Sequence, residues 1–332
     1  MTAGPRTAGP RVLVVGQLAR DLVLVVDRMP PAGSAAEVGD HRETLGGKGA
    51  NQAVALAQLD ARPSLLAVAG DDRIGDELLA QARRDGVDVS QVRRRAGTGT
   101  GLIVETLDAD GGWRYLQHLP DDMLLTEADV AAAGAAFDAA DAVLVQLQQP
   151  PAAALAAARL ARQADRLLVL DGAPADDGHR GPLLALADVL RADDRETGLL
   201  TGASGDDPGQ VRSAAEELLR AGPSLVVLGL GPAGNLFVWD DRRWGAGHLL
   251  VPLTDEKVVD TTGAGDALTA ALAVALLRGD PPPDAARYAV AAAGAVVGHP
   301  GGRPALDPEA LRERAQRLRP DPGAGPSTGA PA

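Results

Sequence analysis

Short apolar runs that alternate with amphipathic stretches constrain the fold of this chain more than any other feature. The runs that predict buried strands in the first half of the chain lie at residues 12–15, 64–69, 142–147 and 167–170. Stretches with helical periodicity follow three of them, at residues 49–59, 74–84 and 152–163. Strands that are buried on both faces and alternate with helices form parallel sheets. The pattern therefore predicts an α/β fold with a doubly wound, mostly parallel sheet flanked by helices.

The same rhythm continues through the second half of the chain. Strands are predicted at residues 187–190, 225–228 and 235–239. Helices are predicted at residues 211–220, 267–278, 285–297 and 308–318. The helix at 267–278 has the strongest pattern, and Gly279 followed by three prolines marks its end.

Two regions interrupt the rhythm with paired strands that have no helix between them. The strands lie at residues 20–26 and 35–44 in the first region, and at 100–107 and 113–119 in the second. Residues 108–112 read Asp-Ala-Asp-Gly-Gly, which favours a hairpin turn. These pairs predict a small β-sheet lid, from about 20–44 and 99–119, within one domain of residues 11–318. Residues 1–10 and 319–332 are poor in large apolar side chains, so disordered tails are predicted there.

The composition excludes several classes of function. The 332 residues carry a formal net charge of −13, whereas binding to nucleic acid or to an anionic membrane needs a cationic surface. The chain has no cysteine, which excludes disulfides, thiolate nucleophiles and cysteine-ligated metals. The longest apolar run, at residues 270–277, is shorter than the roughly 20 residues that span a bilayer. We therefore expect a soluble, cytoplasmic protein with no nucleic-acid or membrane partner.

The strongest chemical signal lies directly before the helix at 267–278, where residues 260–266 read Asp-Thr-Thr-Gly-Ala-Gly-Asp. Small residues let the backbone approach a ligand closely, and the free amides of a helix N-terminus bind anions. A carboxylate at Asp266 would repel a bound phosphate unless it accepts the proton of an attacking hydroxyl. The alternative is that Asp266 is an ordinary residue of the first helical turn and the glycines form only a turn.

A second glycine-rich segment opens the helix at 49–59, where residues 46–52 read Gly-Gly-Lys-Gly-Ala-Asn-Gln. It is not a Walker A loop, because Gly49 follows Lys48 where that loop needs Ser or Thr. Its glycines would let the backbone approach a small polyol, and Asn51 offers both a donor and an acceptor. The alternative is a plain helix start with a flexible entry.

Two further segments follow predicted strands. Residues 229–234 match the dinucleotide pattern GxGxxG by letter, but a strand rather than a helix is predicted after them. Residues 193–196 read Asp-Asp-Arg-Glu, and carboxylates at the end of a strand suit magnesium, directly or through water. A solvated acidic helix start is the alternative for this second segment.

Together these segments resemble the ribokinase-like (PfkB) family of carbohydrate and nucleoside kinases, from about residue 11 to about residue 306. Residues 46–53 resemble the N-terminal signature in its ribokinase form, and residues 260–266 resemble the C-terminal signature. Residues 70–75, Gly-Asp-Asp-Arg-Ile-Gly, resemble the segment between them. The resemblance implies ATP-dependent phosphorylation of a hydroxymethyl group, first of all D-ribose to ribose 5-phosphate. It also implies a β-lid that often forms the interface of a homodimer.

The resemblance further implies roles for individual residues. Asp266 matches the general base, and the anion hole is matched by Gly263, Ala264 and Gly265. Positions that contact the sugar are matched by Asp21, Gly47, Lys48, Asn51 and Gln148. Positions that bind ATP are matched by Asp193, Gly229, Gly231, Gly234 and Gly265. Asp193 and Glu196 match the motif that organises Mg²⁺ through water. Asp260 and Thr262 match carbonyl donors to a monovalent cation, K⁺.

Three positions depart from the ribokinase pattern. Ala19 stands where an Asn precedes the sugar-binding Asp, Gln148 stands where a carboxylate is usual, and Asp193 stands where an Asn is usual. Loss of a buried polar partner costs roughly 1–3 kcal/mol, so the changes at Ala19 and Gln148 bear on the identity of the sugar. Asp193 instead adds charge near the phosphates and is expected to tighten the dependence on magnesium.

Several alternatives remain open at this point. Within the family, the substrate could be another sugar, a sugar acid or a nucleoside, and Trp113 and Tyr115 in the lid would suit a nucleoside base. From other classes, a non-catalytic sugar sensor and a nicotinamide-dependent dehydrogenase are the alternatives. The dehydrogenase needs a helix after Gly234, which the sequence does not predict.

Overall fold

A computed structural model describes residues 9–110, 112–174, 178–203, 207–258, 260–299 and 305–318. Within these residues the strands are β1 Arg11–Val15, β2 Ala19–Val26, β3 Val38–Gly46, β4 Arg62–Leu66, β5 Val68–Gly70, β6 Arg93–Arg95, β7 Leu102–Asp108, β8 Trp113–His118, β9 Ala142–Gln146, β10 Leu167–Asp171, β11 Val189–Ala192, β12 Leu225–Gly229, β13 Asn235–Asp241 and β14 Gly245–Val251. The predicted tails lie outside the described residues, except for Gly9 and Pro10, whose carbonyls accept hydrogen bonds from Arg62.

The helices of the described residues alternate with these strands. They are α1 Lys48–Gln58, α2 Arg73–Arg84, α3 Glu127–Ala131, α4 Gly134–Ala139, α5 Pro151–Gln163, α6 Arg180–Leu186, α7 Asp194–Thr201, α8 Pro208–Arg220, α9 Ala264–Arg278, α10 Pro282–Val297 and α11 Pro308–Arg317. In the described parts of the chain, no helix combines the length and the apolarity needed to cross a bilayer.

The main sheet has eight strands in the order β14-β13-β12-β11-β10-β9-β1-β4. The strands from β12 to β4 pair in parallel, and only β13 and β14 at one edge are antiparallel. This confirms the predicted mostly parallel sheet. Because parallel strands run in one direction, the carboxyl ends of β9, β10 and β11 lie side by side at one edge of the body.

Both faces of the main sheet are buried, which explains why its strands are continuous apolar runs. Val12 and Val14 of β1 pack into the core beneath α1, α9 and α10, whereas Leu13 and Val15 pack into the core beneath α5 and α8. Side chains of a strand alternate between its faces, so each run serves both cores. A sheet covered on both faces needs no polar alternation.

A separate small sheet consists of β2, β3, β7 and β8 in the order β3-β2-β7-β8. The predicted strand pairs are therefore confirmed: β2 with β3, and β7 with β8, are antiparallel neighbours. The two pairs join through β2 and β7, which run parallel, with Asp21 opposite Ile103. We call this unit the small sheet.

One hydroxyl ties the small sheet to the main body. Thr262, in the loop before α9, donates from Oγ1 to Glu105 Oε2 over 2.9 Å. The Tyr115 hydroxyl lies 2.6 Å from the same Oγ1, and it donates because the Thr262 hydrogen is already used. Glu105 and Tyr115 are cross-strand partners on β7 and β8, so both point from one face of the small sheet towards α9.

Three strand predictions were wrong in their bounds. The strand predicted at 35–44 runs from Val38 to Gly46. The predicted strand at 64–69 is divided into β4 and β5, and β5 leaves the main sheet to pair with β6. The strand predicted at 187–190 runs from Val189 to Ala192. Its last part was missed because Arg191 interrupts the apolar run, although this side chain is buried in the structure.

The N-terminus of α1 contacts the chain directly after β1, backbone against backbone. A Cβ atom at Gly49 would lie 2.8 Å from the Gly16 Cα atom and 2.8 Å from the Gln17 nitrogen. Real Cβ atoms do not approach backbone this closely, so only glycine fits at position 49. The close contact holds the residues that follow, including Asn51 and Gln52, at the carboxyl edge of the main sheet.

Replacing Gly49 by alanine should destabilise the fold by about 1–3 kcal/mol, because the added methyl must push two backbones apart. Chemical denaturation of Gly49→Ala and of Gly134→Ala measures this. A Cβ atom at Gly134, in α4, would have no neighbour within 4 Å, so its variant should be at least as stable as the native chain. Equal stability of the two variants would contradict the close contact.

Replacing Thr262 by valine should loosen the small sheet without altering the main body. The change removes two hydrogen bonds, and net losses of about 1 kcal/mol per bond correspond to roughly tenfold or faster amide exchange. Hydrogen exchange in peptides from β7 and β8 measures the effect. Thr106→Val is the matched control on β7, since the buried Thr106 hydroxyl makes no hydrogen bond. Equal exchange in the two variants would show that the Thr262 hydroxyl does not hold the small sheet.

Candidate active site

Asp266 lies where α9 crosses α1 at the carboxyl edge of the main sheet. It is in the first turn of α9 and is 6% exposed. Its Oδ2 accepts a hydrogen bond from Asn51 Nδ2 over 3.1 Å, and its Oδ1 accepts one from Gln52 Nε2 over 3.3 Å. The two glycine-rich segments are more than 200 residues apart in the chain, yet their polar side chains meet here.

The surroundings of Asp266 move its titration towards neutral pH. Burial raises the pKa of its carboxyl to about 6, and the negative charge of Asp171 adds to the rise. The Lys48 ammonium, the hydrogen bond from Asn51 and the Arg191 guanidinium lower the pKa and offset part of the burial effect. A carboxylate with a pKa near 6 is a suitable proton acceptor at neutral pH.

Lys48 remains a cation although it is partly buried. Burial lowers the pKa of its ammonium, but the charges of Asp171, Glu196 and Asp266 raise it further, so that the net shift is upward. Its Nζ lies 3.5 Å from Glu196 Oε1. The Lys48 ammonium therefore places a positive charge between α7 and α9.

The N-terminus of α9 is open for an anion. Gly263 is its N-cap, with φ of 75°, and no side chain caps the helix. Such a left-handed conformation favours glycine. The amides of Ala264 and Gly265 belong to the first turn, where backbone N–H groups lack helical acceptors and attract negative charge. A Cβ atom at Gly265 would lie 2.6 Å from Arg191 Nη2, so a side chain at this position would have to displace the Arg191 guanidinium.

Asp193 and Glu196 form a reciprocal cap at the start of α7. The Asp193 amide donates to Glu196 Oε2 over 2.9 Å, and the Glu196 amide donates to Asp193 Oδ1 over 2.8 Å. Thus the helix-start interpretation of this segment is correct. It does not exclude a second role, because Glu196 Oε1 faces Lys48.

The loop at 229–234 lies beside this helix start. A Cβ atom at Gly229 would lie 2.7 Å from the Asp194 nitrogen, so the end of β12 contacts the first turn of α7. Gly231 and Gly234 have φ of 52° and 111°, which make a tight turn into β13. The strand predicted after Gly234 is confirmed, so the helix that a dinucleotide-binding dehydrogenase needs is not there.

The predicted sugar-binding residues lie at the junction of the small sheet with α1. A Cβ atom at Gly46 would lie 1.8 Å from Asp21 Cγ, so the Asp21 carboxylate lies against the backbone just before Gly47. Gly47 is the N-cap of α1 and has φ of 86°. Gln148 follows β9; its carbonyl accepts a hydrogen bond from Gln17 Nε2 over 3.3 Å, while its side chain is exposed.

The two predicted donors to a monovalent cation lie two residues apart in the loop before α9. Asp260 is 3% exposed, and its Oδ1 accepts a hydrogen bond from the Thr262 amide over 2.8 Å. The Thr262 hydroxyl is occupied by the small sheet, as described above. The side chain of Asp260 therefore stabilises the loop itself.

Three residues of this cluster were missed at the level of the sequence. Asp171 ends β10, Arg191 lies in β11, and Gln52 lies in α1, and all three are buried. Gln52 is the last residue of the glycine-rich segment at 46–52, but nothing in the sequence pattern indicates a role for its side chain. Asp171 could have been found, because it directly follows a predicted strand of a parallel sheet, where ligands bind.

The comparison with protein families agrees with this arrangement. The model of the pfkB family carbohydrate kinases matches residues 10–309. The ribokinase of Mus musculus is 30% identical over 264 residues, which are 79% of this chain and 80% of that protein. A bifunctional ribokinase/ribose-5-phosphate isomerase A from Fructilactobacillus sanfranciscensis is also 30% identical over 264 residues. This chain spans about half of that bifunctional protein, 48%.

A solved structure shares the whole architecture. Arabidopsis thaliana ribokinase complexed with ribose and ATP superposes with a TM-score of 0.76 at 27% identity. The match covers 93% of this chain and 98% of that structure. The family match covers nearly all of the chain, and the two signature segments meet at Asp266. The chain therefore belongs to the PfkB family of carbohydrate kinases and is an ATP-dependent enzyme of that family.

Proposed function

We propose that this kinase transfers the γ-phosphoryl group of ATP to the hydroxymethyl group of D-ribose, which gives ribose 5-phosphate. The single observation that carries the proposal is Asp266, a buried carboxylate with a pKa of about 6 in the first turn of α9. The relatives named ribokinase, and the related structure that holds ribose and ATP, support ribose as the first substrate to test.

Sugar hydroxyls would be held by Asp21, Gly47, Lys48 and Asn51, with Gln148 at the edge. Asn51 donates one hydrogen bond to Asp266, so its amide would orient the base and contact the sugar at once. Ala19 is buried and offers no polar group, so one sugar contact of the ribokinase pattern is missing. The remaining contacts would have to provide the specificity.

Asp266 would act as the general base. Its carboxylate accepts the proton as the hydroxymethyl oxygen bonds to the γ-phosphorus, and the bond from phosphorus to the oxygen of ADP breaks. The amides of Gly263, Ala264 and Gly265 would stabilise the charge on the equatorial phosphoryl oxygens. Hydrogen bonds from Asn51 and Gln52 hold both Asp266 oxygens in place before the sugar arrives.

The donor groups near α7 fit Mg²⁺ bound through water and phosphate. Among the described residues, no three His, Cys, Asp or Glu side chains gather in a metal cluster. Mg²⁺ commonly uses only one or two carboxylates and takes its other ligands from phosphates and water. Asp193 and Glu196 would supply those carboxylates, next to the nucleotide loop at Gly229, Gly231 and Gly234. When bound, the ion neutralises phosphate charge.

We also propose a monovalent cation, K⁺, beside the anion hole. Asp260 and Thr262 would supply oxygen donors, and the buried Asp260 carboxylate supports a positive charge there. The loop that contains both residues leads directly into Gly263. A cation bound there would therefore influence the conformation of the anion hole.

The small sheet would act as a lid and as the interface of a homodimer. Tyr115 points from one face towards α9, whereas Leu116, on the opposite face, is 67% exposed. Val104 is the cross-strand partner of Leu116 and lies on the same outer face. An exposed apolar face of this kind supports a second copy of the chain as its partner.

A nucleoside is the second candidate substrate, and one observation favours it. The rings of Trp113 and Tyr115 lie 4.9 Å apart on the face of the small sheet that Tyr115 turns towards Thr262. Both side chains are exposed. Aromatic faces of this kind stack with bases.

A substrate panel separates these functions. ATP consumption with Mg²⁺ and K⁺ would be measured on ribose, other pentoses, fructose, sugar acids and nucleosides. Turnover on ribose supports the proposal, and turnover only on nucleosides or another sugar reassigns the substrate. If no compound is phosphorylated but ribose still binds in calorimetry, the chain is a sugar sensor and the proposal fails.

Replacing Asp266 by asparagine should lower kcat by about 10²–10⁴-fold, because the variant keeps the shape but loses the proton acceptor. Asp138→Asn is the matched control, since Asp138 is an exposed carboxylate on α4. Steady-state kinetics of both variants on the best substrate measure the change. A kcat of Asp266→Asn within threefold of the native value would contradict the role of the base.

The dependence of kcat/KM on pH should follow the titration of Asp266. Burial raises its pKa to about 6, and only the ionised form accepts a proton. Activity should therefore be constant above the pKa and fall tenfold per pH unit below it. A profile that stays flat between pH 5 and 7 would show that Asp266 does not titrate as the base.

A further inference from the structure

A buried ion pair lies directly beneath Asp266 and is not among the predicted site residues. Asp171 is the last residue of β10, and Arg191, on β11, is its direct register partner. Arg191 Nη1 donates to Asp171 Oδ1 over 3.0 Å, and the two side chains are 8% and 0% exposed. Both lie on the sheet face that α1 and α9 cover.

Stability alone does not explain such a pair. Removing two charges from water costs more than their attraction returns in many proteins, and apolar residues of similar volume are often as stable. Arg191 moreover keeps a buried Nε that makes no hydrogen bond. We therefore ask how the charges and hydrogen bonds of the pair affect the neighbouring side chains.

The first neighbour is the amide of Gln52. Its Nε2 donates to Asp171 Oδ2 over 2.7 Å and also to Asp266 Oδ1 over 3.3 Å. A single NH₂ group thus bridges two carboxylates, and this sets its orientation, because the reversed amide would place an oxygen against both. Asp171 accepts this hydrogen bond at Oδ2, while the Arg191 guanidinium holds its other oxygen, Oδ1.

The second neighbour is the first turn of α9. The Arg191 guanidinium lies against Gly265, where a Cβ atom would lie 2.6 Å from Nη2. Thr269, one turn further along α9, shares its hydroxyl hydrogen between Asp171 Oδ1, 3.4 Å from Oγ1, and the Gly265 carbonyl, 2.9 Å from Oγ1. The ion pair thus contacts the turn that carries both the small-residue segment and Asp266.

The charges around Asp266 come from three elements packed against this turn. They are Lys48 on α1, Asp171 on β10 and Arg191 on β11. Lys48 and Arg191 lower the pKa of the Asp266 carboxyl, whereas Asp171 raises it. Glu196 on α7 affects Asp266 indirectly, because its carboxylate lies beside the Lys48 ammonium.

We propose that Arg191 is a positioning residue of this kinase: through Asp171 and Gln52 it orients the Asp266 carboxylate. The Arg191 charge itself also favours the ionised form of that carboxylate. The inference rests on the proposed role of Asp266 as the base. Arg191 itself is buried behind Gly265 and would not contact the substrate.

Arg191→Met and Arg191→Lys test this role. Methionine keeps much of the volume but removes the charge and the hydrogen bond to Asp171, so the carboxylate that orients Gln52 is no longer held. We expect the pKa of the Asp266 carboxyl to rise by about one unit, because the Arg191 charge that lowers it is removed. We expect kcat to fall about 10- to 100-fold, with the KM for the sugar within threefold. Lysine keeps the charge and should restore most of kcat and the native titration.

Two readouts separate positioning from a structural role. The titration is followed by carbon-13 NMR of aspartate-labelled, ligand-free protein, with Asp266 assigned through Asp266→Asn, and the pH profile of kcat is measured in parallel. An unchanged titration in Arg191→Met overturns the proposal. So does an equal loss in the lysine variant. The NMR titration needs no turnover, so an inactive native enzyme would refute the proposed function and still leave this test decisive.

Should Arg191→Met not fold, the double variant Asp171→Leu with Arg191→Met replaces the pair by apolar side chains of similar volume. Without an acceptor at position 171, Gln52 loses the hydrogen bond that orients its amide towards Asp266. A folded double variant with low kcat supports the proposal. A folded double variant with native kcat and a native pH profile overturns it.

Discussion

The crossing of α1 and α9 over the ends of β10 and β11 is the contact on which the rest of the site depends. It is held at its centre by Asp171, which accepts hydrogen bonds from Gln52, Arg191 and Thr269. Each of these donors lies on a different element, so one buried carboxylate joins two helices and two strands. Because Gln52 also donates to Asp266, the contacts around Asp171 determine the orientation of the Asp266 carboxylate.

The fold was largely predictable because its main sheet is covered on both faces. Continuous apolar runs such as that of β1 arise only when alternate side chains enter two cores, and this is the signal that the sequence carries. Prediction failed where a buried polar side chain interrupts the run. Arg191 broke the pattern of β11 although its charge is compensated by Asp171, a partner that lies on another strand and has no signal in the local sequence.

The candidate site was predictable to the extent that its residues stand in glycine-rich segments. Gly263 and Gly47 have positive φ angles, which favour glycine, and glycine-rich segments are easily recognised in a sequence. Asp171 and Arg191 are linked only through space, and Glu105 is linked to Thr262 across more than 150 residues. Contacts of this kind require the register of β10 with β11, or of β7 with β8, before they can be seen.

Because β2 pairs in parallel with β7, formation of the small sheet depends on the elements that lie between these two strands in the chain. Arg20 pairs with Leu102, so the chain between them forms a closed loop that contains α1, β4 and α2. Closing a loop of this length is entropically costly until the elements inside it have packed. We therefore expect the pairing of β2 with β7 to form only after the elements between them have packed. Because residues 19–118 precede β9 and α9, all four strands of the small sheet are synthesised before the chain that completes the site around Asp266.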